Sequence, residues 1–210
     1  MPSLPQGSGG LFVWGFMRVH LVHCHPLSES LNAHLASHIA QLLIERGHEV
    51  DRLDLCAHGF SPAMSAEERR AYYAAPMTPP DVEPLQERLA VADHLVLVFP
   101  TWWFSLPAML KGWFDRVWAP GFAYDHGTPI RPRLTQLKSV TVVTTLGAPW
   151  WVDELVMRQP VKKVLKSALI GACAPQARFR MLALHEAETI DAGRLKTFEG
   201  KIAKVLGALD

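Results

Sequence analysis

Three short segments concentrate the groups that bind charge or offer flat surfaces. The first, His25-Pro26-Leu27-Ser28-Glu29-Ser30-Leu31-Asn32, sets a histidine and hydroxyls directly before an apolar helical repeat. At a helix start the backbone N–H groups lack intrahelical acceptors and the macrodipole favours negative charge, so the pattern suits a phosphate. It is neither GxGxxG nor GxxxxGK followed by Ser or Thr, so an ordinary dinucleotide fingerprint and a P-loop are both absent. Ser28 or Ser30 would equally serve as a plain N-cap.

The second segment is Pro100-Thr101-Trp102-Trp103-Phe104-Ser105. Three consecutive aromatics between a strand end and a helix cannot all face a core, so at least one should border a cleft. Burial in a core or at a subunit interface is the competing account. The third segment is Thr144-Thr145-Leu146-Gly147-Ala148-Pro149-Trp150-Trp151. Its small residues and glycine let backbone N–H groups approach the polar edge of a planar ligand, with a plain β-turn as the alternative.

Other candidates read more simply. His20, His23 and His25 lie close together, but along a strand His23 and His25 share one face and His20 takes the other, so no metal site is expected. Asp51 and Asp54 end the second strand, where nicotinamide-binding folds keep an acidic ribose ligand. Without the glycine fingerprint they read as solvated loop residues. Arg158, Lys162, Lys163 and Lys166 form a basic helical face, read as solvated surface rather than an anchor for cofactor phosphates. Cys24, Cys56 and Cys173 show no CxxC spacing and have no sequence neighbour that would activate them. They are expected to be structural thiols of a protein in the reducing cytoplasm.

The elements that must position these segments alternate along the chain. Strands are expected at Val19–Cys24, Glu49–Leu55, Leu95–Pro100, Val140–Leu146 and Ala177–Leu184, and helices at Ser30–Arg46, Val82–Ala92, Ser105–Trp118, Val161–Ile170 and Ile190–Leu209. Pro62–Pro80 reads as a long polar connection with room for a short helix. Ser105 is the expected N-cap of the third helix. The continuous apolar run Leu95–Pro100 is that of a strand buried on both faces. Five strands alternating with helices predict an α/β, three-layer flavodoxin-like fold: a five-stranded parallel sheet of order 2-1-3-4-5 with helices on both faces. Ligands then bind at the carboxyl ends of the strands, where the three segments lie.

The chain has 210 residues, 49% hydrophobic and 20% charged, with a net charge of +1. That length predicts one domain with a sizeable core, without disulfide or metal staples. Near-neutral charge gives no face for a nucleic-acid backbone, and no run approaches the roughly 20 apolar residues of a membrane span. Residues 1–16, rich in Pro, Gly and Ser, read as a flexible extension rather than a leader, and residues 17–210 as a single domain. Every tryptophan except Trp14 falls between residues 102 and 151.

The segment PTWWFSLPAMLKGWFDRVWAPGFAYD (Pro100 to Asp125), taken with HPLSESLN and TTLGAPWW, resembles the flavodoxin-like NAD(P)H:quinone oxidoreductase family from about Arg18 onward. The resemblance implies a flavin, FAD or FMN, and ping-pong transfer of two electrons from NAD(P)H to a quinone-like acceptor. It assigns the isoalloxazine loop to Pro100, Thr101, Trp102, Trp103 and Phe104, and the phosphate and adenine side to His25, Ser28, Ser30, Leu31 and Asn32. Thr144, Thr145, Leu146 and Gly147 fall beside the flavin's pyrimidine edge. Trp103, Tyr124, Trp150 and Trp151 become candidates for the substrate pocket. A homodimer is implied, because in the family the site lies at a subunit interface.

There are departures from the family pattern. Animal members carry a glycine pair, a tyrosine and a histidine after strand four; here Leu146 replaces the first glycine, and no histidine follows until His185. Leu31 stands where some members place an aromatic over the adenine, which keeps FMN open. Other branches imply two alternatives: an ancillary subunit of a potassium-efflux system, or an azo or nitroaromatic reductase. A one-electron flavodoxin is disfavoured, because such carriers are strongly acidic.

Overall fold

The computed structural model describes residues 16–73 and 78–209; the expected extension lies outside these except for Phe16. In chain order the elements are β1 (Arg18–His23), α1 (Leu31–Glu45), β2 (Glu49–Asp54), α2 (Ala66–Ala71), α3 (Glu83–Ala90), β3 (His94–Pro100), α4 (Ala108–Val117), β4 (Tyr124–Asp125), β5 (Arg131–Pro132), β6 (Ser139–Thr145), α5 (Pro160–Lys163), α6 (Gly171–Cys173), β7 (Arg178–Leu184) and α7 (Ala192–Leu206). Five strands form one parallel sheet in the order β2-β1-β3-β6-β7. That is the expected 2-1-3-4-5 order, since β4 and β5 form a separate antiparallel hairpin.

Every residue of β3 and β6 is buried, as strands covered on both faces must be. Alternate side chains divide the core into two layers. Val19, Leu21, Val96, Val98 and Val143 pack with Leu35, Ile39 and Leu43 of α1 and Phe198, Ile202 and Leu206 of α7. On the other face Val22, Leu53, Leu95, Leu97, Val140 and Val142 meet α3 and the aromatic face of α4, where Trp113 and Phe114 stack edge-on at 5.0 Å. Helix α1 ends where Gly47 adopts φ +82°, a left-handed stop that glycine allows without strain.

Two expectations about elements are corrected. Ser105 does not cap α4; the cap position is Pro107, and Ser105 instead closes a tight turn with Trp102. The helix expected over Val161–Ile170 is α5 followed by a π-type stretch, Val164–Ile170. The connection before α3 holds the short helix for which the sequence left room: α2 begins with a Ser65/Glu68 capping box, and Arg116 of α4 ties it down. The Arg116 guanidinium donates to Glu68 at 2.7 Å, to Asp81 at 2.7 and 3.0 Å, and to the Ser61 carbonyl at 2.7 Å. Gly112 lets this segment lie against α4, since a Cβ there would sit 2.3 Å from the Pro62 carbonyl oxygen.

Candidate active site

At the carboxyl ends of β1, β3 and β6 the chain opens a cleft of about 530 Å3. Helix α1 points its start into it. Ser30 accepts the N–H of Ala33 at 3.2 Å as the N-cap, while the first-turn N–H groups of Leu31 and Asn32 have no intrahelical acceptor. His25 accepts the N–H of Leu27 on Nδ1 at 3.0 Å, so its ring proton resides on Nε2. The same ring meets Trp102 edge-on at 6.0 Å.

The β3–α4 loop supplies the aromatic wall. Trp102 and Ser105 exchange backbone hydrogen bonds of 3.2 and 2.9 Å, which forces the two residues between them around a tight turn. Trp103 and Phe104 take φ of 51° and 53° there, the left-handed values that a primed hairpin turn requires and that bulky side chains adopt at a cost. Trp103 is 98% exposed, so its ring gains no packing from the chain in exchange for that strain. Such outliers concentrate at functional sites.

Beneath the wall, hydroxyls and one amide lock the strand ends together. Thr101 Oγ1 bonds Thr144 Oγ1 at 2.8 Å, and Thr144 donates to the Phe99 carbonyl at 2.8 Å. A hydroxyl has one proton, so Thr101 is the donor in the first of these. Asn32 Nδ2 donates to Thr145 Oγ1 at 2.9 Å, while its buried Oδ1 has no partner among the described residues. Gly147 borders the cleft opposite Glu188, whose Oε1 would lie 3.0 Å from a Cβ at that position.

The cleft wall therefore gathers His25, Ser30, Leu31 and Asn32 from the first loop, Pro100, Thr101, Trp102 and Trp103 from the second, and Thr145, Leu146 and Gly147 from the third. Other expected residues stand elsewhere. Ser28 is exposed and donates to Glu29 at 3.1 Å. Phe104, the second centre of the tight turn, does not line the cleft, and Thr144 is buried behind the wall. Trp150 borders a separate groove of about 430 Å3 with His185 and Arg194, and Trp151 lies half exposed outside both. Tyr124 lies in the β4–β5 hairpin, where burial pushes its pKa up. The wall also includes Ala187 and Glu188, which the sequence reading missed. They belong to the connection after β7, and only attention to the last strand's loop would have raised them.

The acidic and histidine residues also settle. Asp51 and Asp54 are not free loop carboxylates. Asp51 bonds His20 at 2.7 Å and is held bidentately by Arg88; burial alone would raise its pKa, but these donors keep it well below the carboxylate range. Asp54 bonds His23 at 3.3 Å, where burial pushes the imidazole pKa down. Among the described residues no group of three or more His, Cys, Asp or Glu side chains could hold a metal, and no helix is long and apolar enough to cross a membrane.

Sheet order, a site at the strand ends and a nucleotide-sized cleft define a class of protein. A family model described as a flavodoxin-like fold matches residues 17–173, and the chain belongs to that family. Within it, the chain is 31% identical over 202 residues to NAD(P)H dehydrogenase [quinone] 1 of Rattus norvegicus, covering 79% of this chain and 73% of that one. It is 44% identical over 111 residues to an uncharacterized NAD(P)H oxidoreductase, YcaK, of Escherichia coli K12, covering 52% of this chain and 57% of the relative's length. Among solved structures, the NAD(P)H:quinone oxidoreductase of Methanothermobacter marburgensis superposes with a TM-score of 0.83 at 26% identity, over 93% of this chain and all of that one.

Proposed function

We propose that this protein is a flavin-dependent NAD(P)H:quinone oxidoreductase. One observation carries the proposal: a helix N-terminus, an indole wall and a glycine-edged rim converge on one cleft at the carboxyl ends of three parallel strands. That donor set fits a flavin nucleotide. The N–H groups of Leu31 and Asn32 with the Ser30 hydroxyl would hold its phosphate. Trp102 and Trp103 would flank its ring, and Leu146 and Gly147 would border the ring's polar edge. A bound flavin supplies two-electron hydride exchange between a nicotinamide and a quinone.

The residues themselves bind and orient. Trp103, held out in solvent by its turn, presents a flat face on which a nicotinamide or a quinone stacks in alternation. His25, with its proton on Nε2, offers the cleft a neutral hydrogen-bond donor. The threonine lock of Thr101, Thr144 and Asn32–Thr145 keeps the strand ends from spreading when ligands exchange. The three free cysteines fit a reducing cytoplasm. Trp150, Trp151, Leu155, Val156, Met157 and Val164 form a run of exposed apolar side chains, and we assign it to the contact between two copies of the chain.

The test begins with the absorption spectrum of the purified protein, followed by anaerobic addition of NADPH and mass identification of the released group. Flavin bands that bleach on NADPH and recover on adding a quinone are expected, and the mass separates FAD from FMN. A colourless protein that takes up neither added flavin would overturn the proposal. Rates on quinone, azo and nitroaromatic acceptors then rank the substrates, and light scattering of the eluted protein reads the dimer.

A further inference from the structure

The connection after β7 is strapped onto the cleft's rim by backbone bonds. The Leu184 carbonyl accepts the Leu146 N–H at 3.0 Å; Glu186 then donates its N–H to the Ala148 carbonyl at 3.3 Å, and Ala187 donates to the Leu146 carbonyl at 3.1 Å. Glu186 takes φ 51°, and a short 3-10 turn over Ala187–Thr189 follows. The strap so held brings the Glu188 carboxylate over Gly147, where Oε1 and Oε2 would lie 3.0 and 3.8 Å from a Cβ. The space that the glycine leaves is taken by a carboxylate of the chain itself.

Among the described residues nothing neutralises that charge: Glu188 makes no hydrogen bond or ion pair, and the cleft is lined by no lysine, no arginine and no other acid. Arg194 donates to the His185 carbonyl and, with Lys201, lines the separate groove. The start of α1, with its open N–H groups, borders the cleft after β1, and the sheet order sets β3 and β6 between β1 and β7. The cleft therefore has a positive pole on the β1 side and a negative one on the β7 side.

We propose that Glu188 is a specificity-determining residue: it turns away planar ligands that bring a negative substituent to the Gly147 rim and admits neutral ones. The inference takes its ligand class, quinone acceptors, from the oxidoreductase reading and narrows that class to uncharged rings. Like charges at a solvent-facing rim repel, less strongly as salt rises. A carboxylate also only accepts hydrogen bonds, so a sulfonate set against it finds no donor, whereas a hydroxyl on the ring can donate.

The test measures binding to the full chain as purified, by equilibrium dialysis, of two rings of one shape: anthraquinone-2-sulfonate, an anion, and 2-(hydroxymethyl)anthraquinone, which is neutral. The neutral ring should bind the unaltered protein more tightly. Glu188→Gln should tighten the sulfonate about three- to tenfold, the scale of a like-charge contact in water, and leave the neutral ring within about twofold. Raised salt should narrow the preference of the unaltered protein and leave that of the variant unchanged. Glu186→Gln, on the separate groove, should alter neither affinity, and Trp103→Asn should weaken both alike, as rings seated in this cleft require. Equal tightening of both rings by Glu188→Gln would make the effect steric and overturn the charge filter. An unchanged preference, the same change in Glu186→Gln, or rings that fail to bind or that ignore Trp103→Asn would each overturn it as well. Since dialysis reads neither flavin colour nor turnover, a colourless and inactive protein would overturn the oxidoreductase reading and leave this result standing.

Discussion

At the amino end of the sheet, Asp93 takes the Arg18 N–H at 2.9 Å and the Lys138 ammonium at 2.8 Å, while its own N–H and carbonyl bond Arg18 and Lys138. His94 is buried against Ser139, and the Glu49 N–H reaches Met17. The carboxyl end of the same strands is built differently: a strained turn holds Trp103 in solvent, the start of α1 keeps open donors, and buried Asn32 Oδ1 lacks a partner among the described residues. Both ends keep a buried polar atom without a partner among the described residues, His94 Nε2 at the amino end and Asn32 Oδ1 at the other, but only the carboxyl end sets its open donors around a cleft. A ligand can be bound where unmet groups border open space, and that condition holds at the carboxyl edge.

The largest expected test of that contrast is the acid response of the closed edge. Burial, opposed by the Ser139 contact, pushes His94 down to about 3, below the ~6.5 of an unfolded histidine. As pH falls the unfolded chain takes up the proton first, so this contribution to stability is complete above about 6.5 and is lost progressively toward 3. The slope reaches about 1.4 kcal/mol per pH unit. Urea midpoints between pH 7.5 and 4.5 read it, and His94→Gln should flatten the curve; an unchanged slope would move the acid sensitivity elsewhere.

Next is the lock beneath the open edge. Thr144→Val removes a donor to Phe99 and strands the Thr101 hydroxyl, which should lower stability by about 2 kcal/mol by urea unfolding. A neutral result would mean that the strand ends tolerate spreading. Ser30→Ala should cost about 1 kcal/mol through the lost cap and weaken flavin capture as well. Stability falling without any change in flavin affinity would reduce Ser30 to a cap. The smallest effect runs the other way. Trp103→Asn should raise stability by up to about 1 kcal/mol, because asparagine tolerates the left-handed turn and the exposed ring loses no packing. The same change should weaken binding of planar acceptors, and a drop in the urea midpoint would contradict the strain.

Legibility in the sequence followed the range of the interaction. The sheet strands and the main helices were readable to within a few residues, because apolar periodicity is local and each pattern is complete within its own segment. That the loops after three strands border one cleft was readable, since the reversal of winding follows from strand order. Ser105 was misplaced because a hydroxyl before a helix carries the same letters whether it caps the helix or closes a turn.

What the sequence by itself determined is the alternation of elements, the parallel sheet they imply, and the identity of the aromatic and hydroxyl segments at its edge. Only the tertiary structure decided which of those side chains meet. Asn32 bonds Thr145 across 113 positions, Arg116 reaches Glu68 across 48, and Glu188 comes to face Gly147. Tyr124, a pocket candidate by the family resemblance, and Trp150, one by its place after β6, do not line the cleft of the single chain. Local propensity acts over a few bonds, whereas a site is made by groups distant in the chain that become neighbours only once the sheet has brought its strands into register.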